Sequence, residues 1–371
     1  MTTLGIDLGT TNTVSASRFE VLPLELEEGT PILPSVVAYP PSGVTLVGSR
    51  ARRRRAIDPK NTIYSSKRFI GRRWGSAEGD ELARRYPFDF TEGADGGIAF
   101  KTRGGYLDAT DIAATILQTI HRAAGQGIAR SVVSVPSRFG REQRDATLEA
   151  VHRAGFSEVA LIDEPVATAT AYLAGGVTSV QYAVVYDLGG GTFDMALVDC
   201  RHRPFRVVAH GGDLFLGGDD IDRAIAAWAA DEVSRRHRWD LRDDPLVFDR
   251  LVAASERAKI QLALEETGRI ELGSVDPAAP AASDCLELDP PLLESLALDL
   301  VYRSFVICDA VLADAGVRAD QVEEVFLAGG TTRLPMVSGA VERYFGRPPR
   351  FDHDPMAVVA LGASLVGGDD W

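Results

Sequence analysis

Three cysteines in 371 residues are too few for a disulfide framework, and Cys200, Cys285 and Cys308 show none of the C-x-x-C or Cys/His spacing of a zinc site. Long apolar runs are also missing. The longest, Met356–Gly368, has 13 residues, short of the ~20 needed to cross ~30 Å of hydrocarbon. The start, Met1–Asp7, has neither the basic nor the apolar region of a secretion signal. Positive charge is in deficit. The chain carries −14 with a pI near 5.0, and repulsion from phosphate opposes nucleic acid or an anionic membrane as partner. A cytoplasmic protein with no nucleic-acid or membrane partner is the expectation. Two phosphate fingerprints are absent as well. No G-x-x-x-x-G-K-[ST] occurs and no G-x-G-x-x-G opens a helix, which excludes a P-loop NTPase and a dinucleotide Rossmann enzyme.

What remains is an ordinary globular composition, 45% hydrophobic and 25% charged. The length exceeds the roughly 250–300 residues at which a single core stops growing, so two lobes are expected. Periodicity points to mixed α/β. Apolar runs ending in Gly-rich turns read as strands at Leu4–Leu8, Ser131–Val135, Tyr182–Leu188 and Val322–Ala328. Helical patterns cover Ala109–Ala124, Arg141–Ala154, Ile221–Val233, Pro245–Leu264 and Leu292–Ala315. Gly273–Asp284 reads as a surface loop. One echo stands out. Leu4-Gly-Ile-Asp7-Leu-Gly-Thr-Thr11 resembles Val184-Val-Tyr-Asp187-Leu-Gly-Gly-Gly-Thr192 at half-chain spacing, which suggests a duplicated lobe.

Each echo is a strand delivering an Asp into a tight turn. Gly9, Thr10, Thr11 and Asn12 can aim backbone N–H groups and hydroxyls at one anion, and Gly189, Gly190, Gly191 and Thr192 repeat the arrangement. A carboxylate beside a phosphate repels it unless a hard cation such as Mg²⁺ bridges the two, which is the use expected for Asp7 and Asp187. A third Gly-rich turn, Gly329-Gly330-Thr-Thr-Arg333, lets a flat base or ribose pack on main chain.

In this order the three turns resemble the two phosphate segments and the adenosine segment of the actin/sugar-kinase/heat-shock superfamily. Lys60–Arg73, Ser134–Phe139, Gln143–Thr147, Ile162–Tyr172, Gly211–Asp222 and Ser255–Leu262 narrow the resemblance to the seventy-kilodalton heat-shock (DnaK-type) chaperones, over residues 2 to about 368. The resemblance implies an actin-like ATPase fold with two lobes built on duplicated ribonuclease-H-like cores. Lobe I would span 1–182, with an outer subdomain near 36–108. Lobe II would span 183–355, with an outer subdomain near 219–303. A C-terminal helix at 356–371 would return to lobe I, with its helical stretch at 356–368. It implies Mg²⁺-dependent binding of ATP or ADP and slow ATP hydrolysis that drives lobe closure. Lys67, Glu164, Asp187 and Thr192 would act on the terminal phosphate or its attacking water. The phosphates would rest on Gly9–Asn12 and Gly189–Thr192. Gly218, Glu256, Lys259, Gly329, Gly330 and Arg333 would flank the adenosine. An actin-like scaffold or filament is the competing reading, and a small-molecule kinase a more distant one.

Several positions depart from the family pattern. Ala160 and Asp163 replace residues tied to J-domain docking, and Ile270–Leu293 is short for the usual exchange-factor surface, so neither partner is expected. Ala263 and Met356 replace polar neighbours of the base. The chain ends at Trp371, without the peptide-binding domain that follows in the family. It therefore reads as a truncated or naturally short member, a monomer whose chaperone partner or client is supplied in trans. Pro136 and Arg144, relay residues of the family, are retained.

Overall fold

The computed structural model describes residues 2–17, 20–22, 30–125, 128–174 and 179–366. Lobe I is built on β1 (Thr2–Leu8), β2 (Asn12–Ser17), β3 (Ile128–Val135) and β4 (Val159–Asp163). Strand β1 lies between antiparallel β2 and parallel β3, and β4 extends the sheet parallel to β3. Lobe II repeats this unit with β5 (Tyr182–Leu188), β6 (Phe193–Asp199), β7 (Arg206–Asp213) and β8 (Glu324–Ala328). Its order is β7-β6-β5-β8, with β5 antiparallel to β6 and parallel to β8. The central strands are buried throughout, as at Leu4, Ile6, Val132, Val133, Val184 and Val185, because helices cover both faces of each sheet.

The helices that matter for the site are α1 (Ala109–Ala124), α2 (Arg141–Arg153), α3 (Glu164–Tyr172), α4 (Gly218–His237), α5 (Pro245–Leu262), α6 (Pro290–Asp314) and α7 (Val358–Leu365). Local chemistry sets their starts. Asp108 and Asp111 exchange side chain-to-backbone hydrogen bonds in a capping box at α1. Asp289 caps α6 through Leu292 N–H at 2.8 Å. Helix α4 begins three residues before the apolar pattern at Ile221, because Gly217 N–H binds the Asp220 carboxylate.

Two expectations are corrected. Gly273–Asp284 is not simply a surface loop. Leu272–Val275 is a short helix, and Val275, Ala279 and Ala281 are buried in the lobe II core. The small apolar side chains that mimic a loop composition are plugging that core. The helical stretch 356–368 is shorter than its pattern. Met356 and Ala357 belong to the turn after Pro355, and residues 367–371 lie outside the described residues.

Three large cores, with a small fourth cluster around Val36, Ala38 and Ala51, are found among the described residues. One fills lobe I, one fills lobe II, and a third joins Val14, Val132 and Ile162 of lobe I to Ala183, Val185 and Phe326 of lobe II. Helices α3 and α7 fill this third core and pack on each other and on the lobe I sheet. Their approach is backbone to backbone. A Cβ on Gly5 of β1 would overlap Ala360 O and Ser364 N of α7. A Cβ on Gly362 of α7 would overlap the Ala167 carbonyl of α3.

The outer parts hang from this frame. Within 36–108, strands Asp89–Glu92, Ile98–Thr102 and Gly105–Asp108 form a small antiparallel sheet. An aromatic cluster of Phe69, Tyr86, Phe88, Phe90 and Phe100 packs beside it. Within 219–303, helices α4 and α5 and most of α6 carry a two-stranded ribbon, Gly268–Glu271 with Cys285–Leu288.

Candidate active site

The two hairpin turns face each other across one cleft. Leu8 pairs with Thr13 and Leu188 with Phe193, so the tips are Gly9–Asn12 and Gly189–Thr192. They approach closely enough that a Cβ on Gly190 would lie 2.5 Å from Thr11 Oγ1. A Cβ on Gly9 would overlap the Asn12 carbonyl of its own turn.

In both turns the carbonyls are tied back. Ser35 Oγ donates to Gly9 O at 2.8 Å, and Ser35 N–H donates to Thr11 O at 2.9 Å. Gly218 N–H and Thr331 Oγ1 donate to Gly189 O, Asp219 N–H to Gly190 O and Arg68 Nη2 to Gly191 O. The N–H groups of Thr10, Thr11, Gly190 and Gly191 bind no backbone carbonyl among the described residues. Thr11 Oγ1 is buried with no hydrogen-bond partner. Paired turns with committed carbonyls and uncommitted N–H groups form a nest for an anion.

Four carboxylates line the same cleft: Asp7, Glu164, Asp187 and Asp194. Asp7 and Asp187 end β1 and β5. Asp7 accepts a hydrogen bond from Ser134 Oγ at 3.0 Å. Burial pushes its carboxyl up to about 6, and the Glu164 charge adds to the shift. Burial raises Asp187 well above the usual carboxylate range, with Glu164, Asp194 and Asp7 contributing. Asp194 is pushed up to about 7 by burial, against the opposing pull of Arg138. Glu164 opens α3 ahead of Pro165, where the helix N-terminus favours a negative charge.

Lys67 lies opposite, on the short 3₁₀ turn Ser66–Phe69, which buried Phe69 anchors in the aromatic cluster. Its Nζ lies 2.6 Å from Glu164 Oε1, and the two side chains are only 10% and 12% exposed. Arg68, next to it, donates to Tyr86 Oη and Gly191 O.

At the third turn, Gly329 has φ 83° and Gly330 packs under the Met356 thioether. Gly329 admits no side chain, since a Cβ would meet Asp187 Oδ1 at 2.5 Å. Both glycines and Met356 line the cleft.

The remaining adenosine-side candidates do not line this cleft, although Gly218 and Lys259 adjoin the Gly189–Gly190 turn. Lys259 is buried, with Nζ 2.8 Å from Asp222 Oδ1 and donating to Gly218 O at 3.0 Å. Gly218 packs against Thr331 and Lys259 rather than lining the cleft. Glu256 lines a neighbouring cavity with Arg55, Tyr64, Tyr86 and Asp219, 4.0 Å from Arg52. Arg333 pairs with Asp354 and is half exposed. Arg144 pairs at 2.5 Å with Asp163, the residue before Glu164.

Sequence reasoning missed Ser35, Arg68, Ser134 and Arg138 as site residues, and left Asp194 unassigned. Asp194 alone had a local signal, its place just past Thr192. The others reach the cleft through contacts 26 to 127 residues apart in sequence.

A family model described as Hsp70 protein matches residues 3–368. The chain belongs to the Hsp70 family. It is 38% identical over 379 residues to "Chaperone protein DnaK" of Stenotrophomonas maltophilia (strain R551-3). That match takes in 98% of this chain and 59% of the relative, so the chain spans little more than half the relative's length. Hsp70 membership gives the two lobes their actin-like ATPase fold, and the mixed α/β sheets described above are its cores. Among the described residues, no helix is long and apolar enough to cross a membrane.

Proposed function

We propose that this Hsp70-family chain binds ATP with Mg²⁺ between the two hairpin turns and hydrolyses it slowly, with lobe closure as the output. The observation that carries the reading is the facing pair of tips, with tied-back carbonyls, uncommitted N–H groups and the unpartnered Thr11 hydroxyl. A polyphosphate meets those donors, and the Gly329–Gly330 turn offers main chain for the nucleoside.

The residues fit a hydrated Mg²⁺. Asp7 and Asp187 are two hard oxygen donors, and among the described residues no three His, Cys, Asp or Glu side chains are placed to hold an ion by themselves. Two carboxylates suit an ion that keeps several waters and shares phosphate oxygens. Bound there, it would neutralise charge on the phosphates. Lys67 holds positive charge where the terminal phosphoryl group leaves. Glu164, fixed by Lys67 and the start of α3, orients the attacking water, and Thr192 lies beside that phosphate. Closure follows from contacts made to a triphosphate by both turns at once and lost in part with a diphosphate. A chaperone client or partner would read that closure, in the cytoplasm. Family membership does not favour the filament or kinase readings.

The metal assignment has a pH signature. Asp7 and Asp187 must be deprotonated to hold the ion, and both carboxyls are raised. Apparent Mg²⁺ affinity in the presence of ADP should therefore strengthen as pH rises through about 6. In Asp187→Asn the affinity should fall about tenfold or more and the rise with pH should flatten. Calorimetric titration of Mg²⁺ at several pH values checks this, and an unchanged Mg²⁺ dependence in the variant overturns the assignment.

A further inference from the structure

The cleft contains an ion pair that the account above does not use. Arg138 Nη1 donates to Asp194 Oδ1 at 2.6 Å. Arg138 follows β3 of lobe I and Asp194 lies on β6 of lobe II, so the pair bridges the lobes. Both residues line the cleft with Lys67, Glu164 and Asp187. Both also line a smaller recess beside Glu164 and Pro165, which does not reach Gly329, Gly330 or Met356. The pair thus belongs to the Lys67–Glu164 end of the site, away from the nucleoside turn.

Charge and hydrogen bonding single out Arg138 among the cations of the cleft. Arg68 is committed to Tyr86 Oη and Gly191 O, and Arg72 to Glu78 and Arg68 O. Lys67 is committed to Glu164. Arg138 uses one N–H on Asp194, and its other donors have no hydrogen bond among the described residues. The two side chains keep 26% and 27% of their surface exposed, so the guanidinium is reachable from the cleft. A planar fork with spare donors matches the oxygens of a phosphate, and an arginine supplied within the chain is an established way to stabilise a transferring phosphoryl group.

We propose that Arg138 contacts the terminal phosphoryl group of bound ATP and sets the preference for triphosphate over diphosphate. This rests on the nucleotide reading of the cleft. ADP has no group at the Lys67–Glu164 end, so it does not engage Arg138. The competing role is a strut that only holds the lobes together, and that role would affect both nucleotides alike.

The test is equilibrium titration of the full chain with Mg-ADP and with a non-hydrolysable β,γ-imido ATP analogue. Wild type, Arg138→Gln and Arg138→Lys are compared, with thermal melting as a folding check. Arg138→Gln should weaken the analogue about tenfold or more and ADP by less than twofold. Arg138→Lys, which keeps the charge and loses the fork, should fall between and serves if the Gln variant does not fold. Equal weakening of both ligands, or no weakening of either, overturns the proposal while leaving the nucleotide reading intact. Wild type binding neither ligand overturns both.

Discussion

Lys67→Ala should lower single-turnover hydrolysis of ATP by about a thousandfold while ATP still binds. The separation follows from how the cleft is built. Ground-state binding rests on the N–H groups of the two turns, the Thr11 hydroxyl and, for the triphosphate, Arg138, none of which Lys67 supports directly. Lys67 faces the carboxylates instead. It pairs with Glu164 and offsets the mutual repulsion of Asp7, Asp187 and Asp194. Removing it takes away the charge that a departing phosphoryl group needs and leaves Glu164 free to move. Rapid-mixing assays with limiting ATP measure the rate, and calorimetry measures binding. A variant that hydrolyses at the wild-type rate removes Lys67 from the chemistry. One that no longer binds assigns it to ground-state recognition.

Gly362→Ala carries the largest expected loss of stability. Helix α7 meets α3 with no side chain between them, and a Cβ on Gly362 would lie 2.5 Å from the Ala167 carbonyl carbon and closer still to its oxygen. Neither partner is a flexible side-chain end, so the helices must separate. Across α7, the Gly5–Ala360 contact resists that movement. Overpacking of this kind should cost about 3 kcal/mol and lower the thermal midpoint by roughly 4 °C. The effect should reach the cleft, since Glu164 is the first residue of α3 and moves with it. Gly140→Ala is the control. Its Cβ enters open space, and the change should stay within about 0.5 kcal/mol. Differential scanning calorimetry of both variants decides the point. Equal midpoints for Gly362→Ala and wild type would mean that the two helices have room to spare.

Legibility in the sequence followed the range of each interaction. The paired turns were readable because their information is local: an apolar strand, an Asp at its end, and small residues that fit only a tight reversal. The repeated Asp-Leu-Gly segments mark equivalent hairpins in two sheets of matching pairing. Helices α1, α2, α5 and α6 followed their periodicity to within two residues at each end, since each buries one apolar stripe. Cap chemistry lengthened α4 beyond its apolar pattern at both ends.

Readings that needed a distant partner fared differently. Arg138 lies within the Ser134–Phe139 segment, but nothing local pairs it with Asp194, 56 residues away. Ser35 gave no hint that it ties back the Gly9 and Thr11 carbonyls. For Lys259, Glu256 and Arg333 the motif supplied identity but not orientation. Their charged heads rest on Asp222, Arg52 and Asp354 in this structure. Gly273–Asp284 is a loop from residue 276 on, as its Ala- and Pro-rich composition suggests, but burial of Val275, Ala279 and Ala281 depends on helices elsewhere in the chain.

Amide hydrogen exchange with and without Mg-ATP tests the central claim most directly. A polyphosphate gripped from both lobes should slow exchange at Thr10 and Thr11 together with Gly190 and Gly191, and by comparable factors. Slowing at one turn alone, or at neither, would contradict a site shared between the lobes.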